Sequence, residues 1–248
     1  MIEAPAADSY LYGIVLADGQ EPSTAEGVQA GRLHTIDWGR VAAVVSDIAE
    51  IDLLGTPEDL RAHVAVLDGI AESQPVLPLA FGTLIPGETD IAAQILAPRE
   101  ADYVEALEQL AGHCQMTVRV SYDRDSVLRE IILGDPEAAE LRGMIIGTSE
   151  DETRNERIRL GEIVVTTMES WKTQEAPAIL EQIEPLAAHM AERENKQAED
   201  LAEVAVLLPR EAVTEFDATI EGLAEANRDR LRFRLVGPQA PYDFVPQM

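Results

Sequence analysis

The 248-residue sequence predicts an α+β protein with two domains. The chain is long enough to bury one or two hydrophobic cores, and its 46% apolar and 26% charged residues are typical of a globular protein. Stretches with the alternating period of strands are flanked by stretches with helical spacing, which favours two open antiparallel sheets with helices beside them. The domains are predicted over residues 1–122 and 123–248.

The first half begins with a strand and a hairpin. Residues 10–17 form a nearly continuous apolar run, which is typical of a central strand buried on both faces. Residues 32–36 and 41–46 lie on either side of a short segment that contains Gly39. Because glycine at this place indicates a turn, these two strands should form a hairpin.

A helix follows, and its start is strongly marked. Thr56 is a hydroxyl N-cap, Pro57 suits the first helical position, and the two carboxylates after it face the positive end of the helix dipole. The helix should end near Ser73. Four apolar residues recur at helical spacing and should lie on the sheet: Leu60, Val64, Leu67 and Ala71.

Prolines interrupt the rest of the first half. Residues 74–87 are largely apolar but contain several prolines, which predicts an edge strand or an extended crossing. Residues 88–96 and 100–111 have helical patterns divided at Pro98. Residues 116–122 alternate apolar and polar side chains and are predicted to be the final strand of this half.

The second half is predicted to contain more helix. Its elements are a helix over 123–133, a loop over 134–136, a helix from the capping box of Ser149 and Glu152 through Trp171, a helix over 177–184, strands over 186–194 and 201–208, a helix beginning at Pro209, and a strand beginning at Leu231. Both halves therefore share a core of strand, strand, helix and strand, which favours a ferredoxin-like arrangement.

The C-terminal strand alternates apolar residues with arginines. The apolar set is Leu231, Phe233 and Leu235, and the arginine set is Arg230, Arg232 and Arg234. This pattern indicates one buried and one solvated face. Gly237 and Pro238 are expected to end the strand, and Tyr242 and Phe244 to pack as anchors beyond Pro241. The segment is therefore interpreted as a C-terminus held against fraying.

The charge balance argues against several classes of partner. The sequence has 46 acidic and 19 basic residues and a formal charge of −27, which opposes binding to nucleic acid and to anionic membrane surfaces. Cys114 is the only cysteine, so no disulfide can form within the chain. Neither a signal peptide nor a sufficiently long apolar run is recognisable, and the protein is expected to be soluble and cytoplasmic.

Familiar catalytic and cofactor motifs are missing from the sequence. His113 and Cys114 could bind metal or activate a nucleophile, but they lie at a predicted turn into a strand, where a structural role is the better interpretation. Asp123 and Asp125 resemble a metal-binding pair, yet carboxylates commonly occupy a helix start. His63 is interpreted as a packing residue. No catalytic residue, metal ligand or cofactor is predicted.

Three segments occur in an order and at separations that resemble the GvpF/GvpL family of gas vesicle accessory proteins. They are the strand from Tyr10 to Val15, the segment from Pro75 to Thr83 and the ending from Gly237 to Phe244, with His63 on the helix before the second segment. The resemblance covers almost the whole chain. It departs from the family at Ala80, where arginine is frequent, and at Gln239 and Ala240, where tryptophan and proline are frequent.

The resemblance implies a noncatalytic protein that is required for gas vesicle formation and binds the small hydrophobic shell protein and other accessory proteins. It also implies a modified ferredoxin-like N-terminal domain, a C-terminal α+β domain with a ferredoxin-like core and added helices, and a position at the gas-facing side of the shell. The family-motif and candidate contact residues are Pro75, Pro78, Phe81, Gly82, Arg230, Arg232, Arg234, Gly237, Pro238, Pro241, Tyr242 and Phe244.

Two docking features are conceivable within this set. The segment from Pro75 to Gly82 would accept an added strand, and the arginine set would pair with carboxylates of the shell protein. Alternatively, both features only complete their own domains. The alternative function is a small-molecule-binding regulatory protein or minor enzyme on ferredoxin-like domains. An enclosed polar pocket would favour that alternative, whereas exposed apolar surface would favour assembly.

Overall fold

The structure is a computed structural model, and it describes residues 8–19, 26–48, 51–87, 89–194 and 197–246. Within these ranges it has nine strands, which form two antiparallel sheets, and six α-helices. The strands are β1 (Ser9–Leu16), β2 (Leu33–Trp38), β3 (Val41–Asp47), β4 (Leu77–Pro78), β5 (Leu84–Ile85), β6 (His113–Tyr122), β7 (His189–Arg193), β8 (Asp200–Pro209) and β9 (Leu231–Gln239). The helices are α1 (Pro57–Ser73), α2 (Glu100–Leu110), α3 (Arg124–Gly134), α4 (Pro136–Ile145), α5 (Arg154–Ile183) and α6 (Val213–Ala226). The mixed helix and sheet class is confirmed.

The first sheet is built around β1. Its order is β2-β3-β1-β4, and β5 pairs with β1 beside β4. The predicted hairpin of β2 and β3 is present, with Gly39 at φ +54° in its turn. The register of β1 against β3 shifts between Leu11 and Gly13, which marks a bulge. This extra residue explains why Tyr12 and Ile14 face different cores although they are two residues apart.

Both faces of β1 are buried, as its apolar run predicts. On one face, Leu11 and Ile14 pack in a core with Leu107 of α2. On the other face, Tyr10 and Tyr12 pack in a core with apolar residues of α1. A glycine in β1 permits close approach of β4, because a Cβ atom on Gly13 would lie 2.7 Å from the carbonyl oxygen of Leu77.

Helix α1 begins as predicted, but its buried face is rotated from the predicted stripe. Leu67 and Ala71 of the predicted stripe are buried, but Leu60 and Val64 are 47% and 37% exposed. Asp59 and His63 are buried in their place. The prediction counted only apolar residues on the helix. Two polar side chains occupy the buried face instead, because each finds hydrogen-bond partners within the protein.

The proline-rich segment contributes two short strands rather than one long one. β4 and β5 each have two residues, and both pair with β1. The prediction of an edge strand agrees with the place of β4 at the end of the sheet order. Residues 92–99 then form a π-helical turn and a 3-10 turn before α2 begins, so Pro98 does separate two helical segments.

The second sheet has the order β7-β8-β6-β9. β6 was expected to be the final strand of the first half, but it lies in this second sheet between β8 and β9. Its partners are far away in sequence, and periodicity within one segment carries no information about which distant strands will pair. β8 is buried along almost its whole length, in agreement with its apolar run.

Two predictions about the helices of the second half are wrong. α5 is a single helix of 30 residues that includes Pro177, so the separate helix over 177–184 does not exist. A proline removes only one helical hydrogen bond, and Pro177 is exposed, where water can replace the lost partner. α4 was not predicted; Asp135 caps it by accepting a hydrogen bond from the Ala138 amide at 3.0 Å, and Pro136 is its first residue.

Two helix starts also differ in detail. The capping box of Ser149 and Glu152 forms, with the Ser149 amide donating to the Glu152 carboxylate at 3.0 Å, but the helix begins only at Arg154. Pro209 is the last residue of β8, and α6 begins after a 3-10 turn at residues 210–212. Phe216 and the other apolar residues predicted for one face of α6 are buried.

The last strand continues beyond its predicted end. β9 includes Gly237 and Pro238, joined by a cis peptide bond, and ends at Gln239. Because β9 is last in the sheet order, one of its edges is unpaired there and can hold a residue that lacks an amide donor. Leu231 is buried, and Phe233 and Leu235 are partly buried, which agrees with the predicted alternation.

Contacts divide the chain into two compact units. The first comprises Met1–Gln115, Leu207–Arg210 and Gly237–Met248, and the second comprises Met116–Val206 and Glu211–Val236, as far as these ranges are described. The domain boundary between residues 122 and 123 stays a prediction. Among the described residues, no helix is both long and apolar enough to cross a lipid bilayer.

Candidate functional site

Parts of all three family-resembling segments meet in the first unit. Their aromatic residues, together with the histidine of α1, form what we call the aromatic cluster: Tyr10, Tyr12, His63, Phe81 and Tyr242. His63 is central, since its ring centroid lies between 5.6 and 6.5 Å from those of the other four rings. The ring of Tyr12 is stacked on His63, with 20° between the planes.

Hydrogen bonds fix the orientation of the central histidine. The Gly82 amide donates to the Tyr10 hydroxyl oxygen at 2.9 Å, and that hydroxyl lies 3.0 Å from Nδ1 of His63. Which of these two atoms donates depends on the tautomer of His63, whose buried Nε2 atom has no hydrogen-bond partner among the described residues. Gly82 has φ +85°, a conformation that favours glycine, so the turn that delivers this amide depends on residue type.

The aromatic cluster is held in its neutral form. Burial lowers the pKa of His63 from its usual 6.5, and the influence of the Leu79 carbonyl only partly offsets this. Burial raises the pKa of Tyr10 to about 12, and it also raises the pKa values of Tyr12 and Tyr242. A cluster without charge at neutral pH suits rigid packing rather than proton transfer.

Further bonds hold the C-terminal segment in the first unit. The Ala240 amide donates to Asp68 of α1 at 2.8 Å, and Ala240 is fully buried. The Asp243 amide donates to Gln115 at 3.1 Å, and the Gln115 amide group donates to the Asp243 carboxylate at 2.6 Å. Phe244 packs against the α2-side core. These contacts agree with the predicted anchoring role of the ending.

Ala240 gives a physical meaning to one departure from the family pattern. A proline at this position has no amide hydrogen and could not donate to Asp68. Burial raises the pKa of the Asp68 carboxyl, while the bond from Ala240 works in the opposite direction. This chain therefore has a backbone donor at a position where a proline would have none.

The segment from Pro75 to Gly82 lies along the edge of the first sheet. Its central residues, including Leu77 and Pro78, are buried, whereas Ala80 and Gly82 are exposed. The Leu79 amide already donates to the Tyr12 carbonyl at 2.8 Å. An added strand would therefore find only a short stretch of backbone with few free donors.

The arginine set of β9 is not a uniform free face. Arg230 is ion-paired with Glu130 at 2.8 Å and with Glu175 at 2.7 Å, and its guanidinium carbon lies 4.9 Å from the centre of the Trp171 ring. Sequence reasoning missed this cluster. The alternation in β9 gave no signal for it, because the partners of Arg230 are distant in sequence.

The other two arginines differ from Arg230. Arg232 pairs with Asp123 at 2.8 Å and is 57% exposed. Arg234 is exposed and has no carboxylate partner within the part of the chain that the structure describes. Of the three arginines, Arg234 is consequently the one most available to an external partner.

The polar residues considered for chemistry have structural partners. Asp123 caps α3 by accepting a hydrogen bond from the Ser126 amide at 3.1 Å. Nδ1 of His113 lies 2.9 Å from the Ala111 carbonyl oxygen, and Cys114 is buried. Across the described ranges, no three His, Cys, Asp or Glu side chains are grouped to hold a metal ion.

The fold and the site together define an α+β protein whose distinguishing feature is a neutral, buried aromatic cluster that ties a sheet edge to the C-terminal segment. The family model for "Gas vesicle synthesis protein GvpL/GvpF" matches residues 8–246, and the chain belongs to this family. The family is one of gas vesicle accessory proteins and is not a known enzyme family, and membership supports a role in gas vesicle formation.

Individual relatives agree with this assignment. Gas vesicle protein F of a Streptomyces species is 31% identical over 244 residues, covering 96% of this chain and 99% of the relative. Gas vesicle protein F of a Nostoc species is 23% identical, covering 95% of this chain and 97% of the relative. The crystal structure of GvpF from an Anabaena species superposes with a TM-score of 0.78 at 23% identity, covering 98% of this chain and all of that one. The crystal structure of GvpF from Microcystis aeruginosa superposes with a TM-score of 0.74 at 21% identity, covering 97% of this chain and all of that one.

Proposed function

We propose that this chain is a noncatalytic assembly factor that binds the small hydrophobic shell protein and other accessory proteins during gas vesicle formation. The observation that carries the proposal is the aromatic cluster, in which residues from all three family-resembling segments pack together. A packed and neutral set of rings is suited to holding a neighbouring binding surface in shape. The surface itself must then be exposed and adjacent to that frame.

The sheet edge next to the aromatic cluster is the first candidate surface. Phe81 and Gly82 belong to the cluster and its hydrogen bonds, whereas Ala80 between the edge strands is exposed. Pro75 and Pro78 keep the edge from pairing over a long stretch, which protects a free protein from aggregation through this edge. A short, selective contact with an apolar partner remains available there.

The second candidate surface is the outer face of β9. Arg234 and the partly exposed Arg232 are cationic side chains on a chain with a net charge of −27. Because the rest of the protein is strongly negative, carboxylates of a partner are attracted to this positive site and repelled from other parts of the surface. Arg230 contributes mainly by fixing β9 against α5 through Glu175.

Capture of the shell protein by the purified chain tests both surfaces. Ala80→Glu places a charge at the sheet edge, and Arg234→Glu reverses the unpaired arginine; each should reduce capture if its surface is used. Arg61→Glu is the matched control, because Arg61 is exposed on α1 and has only a 3.9 Å ion pair with Glu58. Capture unchanged by a variant that remains folded removes that surface from the proposal.

Complementation tests the function as a whole. Cells that lack the gene and any paralogue should fail to form gas vesicles, and the wild-type chain should restore them. Normal vesicles in the deletion strain would overturn the proposal. For the proposed gas-facing position, antibodies should label the protein in collapsed and opened vesicles but not in intact ones, and labelling of intact vesicles would exclude that position.

We further propose that both domains are ferredoxin-like, the first in modified form and the second with added helices. Two strands, a helix and a strand follow one another along the chain in each half, as β2, β3, α1 and β4 and as β7, β8, α6 and β9, which supports this arrangement. The proposed boundary between residues 122 and 123 is tested by limited proteolysis. Early cleavage between β6 and α3 would support the boundary, and persistent protection there would exclude it.

A further inference from the structure

The second unit has an apolar groove that none of the sequence-based predictions concerns. The groove has a volume of about 540 Å³, and helices α3, α4 and α5 form its walls. Its apolar lining includes Val127, Leu128, Ile145, Leu160, Val164 and Met168. Val165, on the wall formed by α5, is 50% exposed, so apolar surface of this groove is in contact with water.

Three arginines also line this groove. Arg124, Arg142 and Arg157 line the groove, and Glu199 is the one acidic residue of its lining. Within the described residues, none of these three arginines forms an ion pair with a carboxylate; Arg157 donates instead to the Thr153 hydroxyl at 3.2 Å. In a sequence with 46 acidic and 19 basic residues, three arginines without carboxylate partners around one groove are a marked local excess of positive charge.

The positive character continues beyond the groove. Arg124 and Glu199 also line a neighbouring cleft of about 390 Å³ on the second sheet. Arg119, Arg232 and Arg234 line the same cleft. Arg119 and Arg232 are ion-paired with Asp200 and Asp123, so their charges are partly balanced, while Arg234 adds a further unpaired cation among the described residues.

We propose that the groove of α3, α4 and α5 binds an amphipathic α-helix of another protein, with Asp or Glu on both sides of its apolar face. An apolar helix face fits a groove between helices, because side chains at i, i+3, i+4 and i+7 fill such a groove. Acidic side chains beside the apolar face pair with Arg124, Arg142 and Arg157 of the groove, and basic side chains there are repelled by these arginines. The inference concerns a different surface from the two docking candidates above and does not depend on them.

Binding of model helices to the purified full-length chain tests the proposal. The probes are fluorescent helical peptides of 18 residues with leucine, isoleucine or alanine-leucine apolar faces, each made with glutamate flanks and with lysine flanks. Fluorescence anisotropy should detect glutamate-flanked peptides, with lysine-flanked versions bound about tenfold more weakly or not at all. Affinity for the glutamate-flanked peptides should fall as salt is raised, because exposed charge pairs are screened.

Variants of the groove localise the binding. Arg142→Gln should weaken the binding of glutamate-flanked peptides about two- to fivefold, which is the range for the loss of one exposed charge pair. Val165→Ser should weaken the binding of glutamate-flanked and lysine-flanked peptides by a similar factor, because this change removes apolar contact rather than charge. Leu60→Ser and Arg61→Gln are matched controls on exposed positions of α1 and should leave binding unchanged. Circular dichroism melting verifies that each variant is folded.

Several results would overturn the inference. These are no binding by any glutamate-flanked peptide at millimolar concentration, equal binding of lysine-flanked peptides, or equal effects of groove and control variants. A dimer in sedimentation velocity that dissociates on Val165→Ser would mean that a second copy of this chain covers the groove instead. The peptide assay needs no vesicles, so its result is independent of the complementation test. If the chain binds no peptide but restores vesicles in the deletion strain, the groove inference is wrong and the proposed function stands.

Discussion

His63 combines two properties that rarely occur together in a surface helix: it is 1% exposed, and it is surrounded by four aromatic rings. Its Nδ1 atom is hydrogen-bonded to the Tyr10 hydroxyl at 3.0 Å, and burial lowers the pKa of the imidazole and so favours its neutral form. Protonation would place a positive charge among the packed rings. The residue therefore links the packing of the first unit to pH.

We predict that His63 makes the protein less stable below pH 6.5. Its pKa is lowered in the folded protein, so the unfolded chain takes up the proton first and unfolding is favoured as the pH falls below 6.5. The loss can reach at most about 1.4 kcal/mol for each pH unit. Urea unfolding of the wild type and of His63→Gln between pH 7.5 and 5.5 measures this loss of the free energy of unfolding.

The comparison between the two proteins isolates the histidine. Most carboxylates titrate below this range, and a contribution from Asp68, whose pKa is raised, is common to both proteins. The free energy of unfolding should fall more steeply with decreasing pH in the wild type than in His63→Gln. Parallel curves would mean that His63 stays equally protonated in both states.

Helix α1 shows how a local signal organises an element. The Thr56 hydroxyl accepts a hydrogen bond from the Asp59 amide at 3.1 Å, and the Asp59 carboxylate accepts from the Thr56 amide at 2.9 Å. Burial acts to raise the pKa of Asp59, but these bonds and those from neighbouring amides hold it below its usual value. The same carboxylate is buried, so the cap also sets which side of α1 faces the core.

We predict that Thr56→Ala lowers the free energy of unfolding by about 1 kcal/mol, the usual loss for a helix cap. Thr173→Ala is the control, because Thr173 is exposed within α5 and, among the described residues, its hydroxyl bonds only to the Glu169 carbonyl. That change should stay within about 0.5 kcal/mol. Urea denaturation followed by circular dichroism distinguishes the two, and equal effects would contradict a specific role for the cap.

At the scale of the whole molecule, the net charge of −27 is the dominant electrostatic feature. Self-repulsion among the carboxylates disfavours a compact chain, and salt screens it. We predict that the midpoint of thermal unfolding rises between 10 mM and 1 M NaCl, as the screening length falls from about 30 Å to about 3 Å. KCl at equal ionic strength should give the same midpoints. A midpoint that stays constant or falls with NaCl would show that repulsion does not limit stability.

The sequence predicted the local features of the molecule better than its long-range pairings. The start of α1 at Thr56, the hairpin turn at Gly39 and the alternation in β9 follow from interactions between near neighbours, and all three are present. The place of β6 in the second sheet and the continuity of α5 through Pro177 depend on distant contacts or on solvent exposure, which periodicity does not encode.

The candidate site was predictable in part. The segments that resemble the family contain Phe81 and Tyr242, and the structure brings them to His63. The ion pairs of Arg230 could not be foreseen, because Glu130 and Glu175 are separated from it by 100 and 55 residues. Alternation indicated that this arginine lies away from the buried face of its strand, but it could not reveal an internal partner.

The membership of Tyr242 in the aromatic cluster has a consequence for biosynthesis. The first unit combines Tyr10 and His63 with Tyr242, which is synthesised much later. A nascent or truncated chain that stops before Ala240 lacks the amide that bonds to Asp68 and the ring that covers His63. The aromatic cluster can therefore be completed only after Tyr242 has been synthesised and has packed against His63.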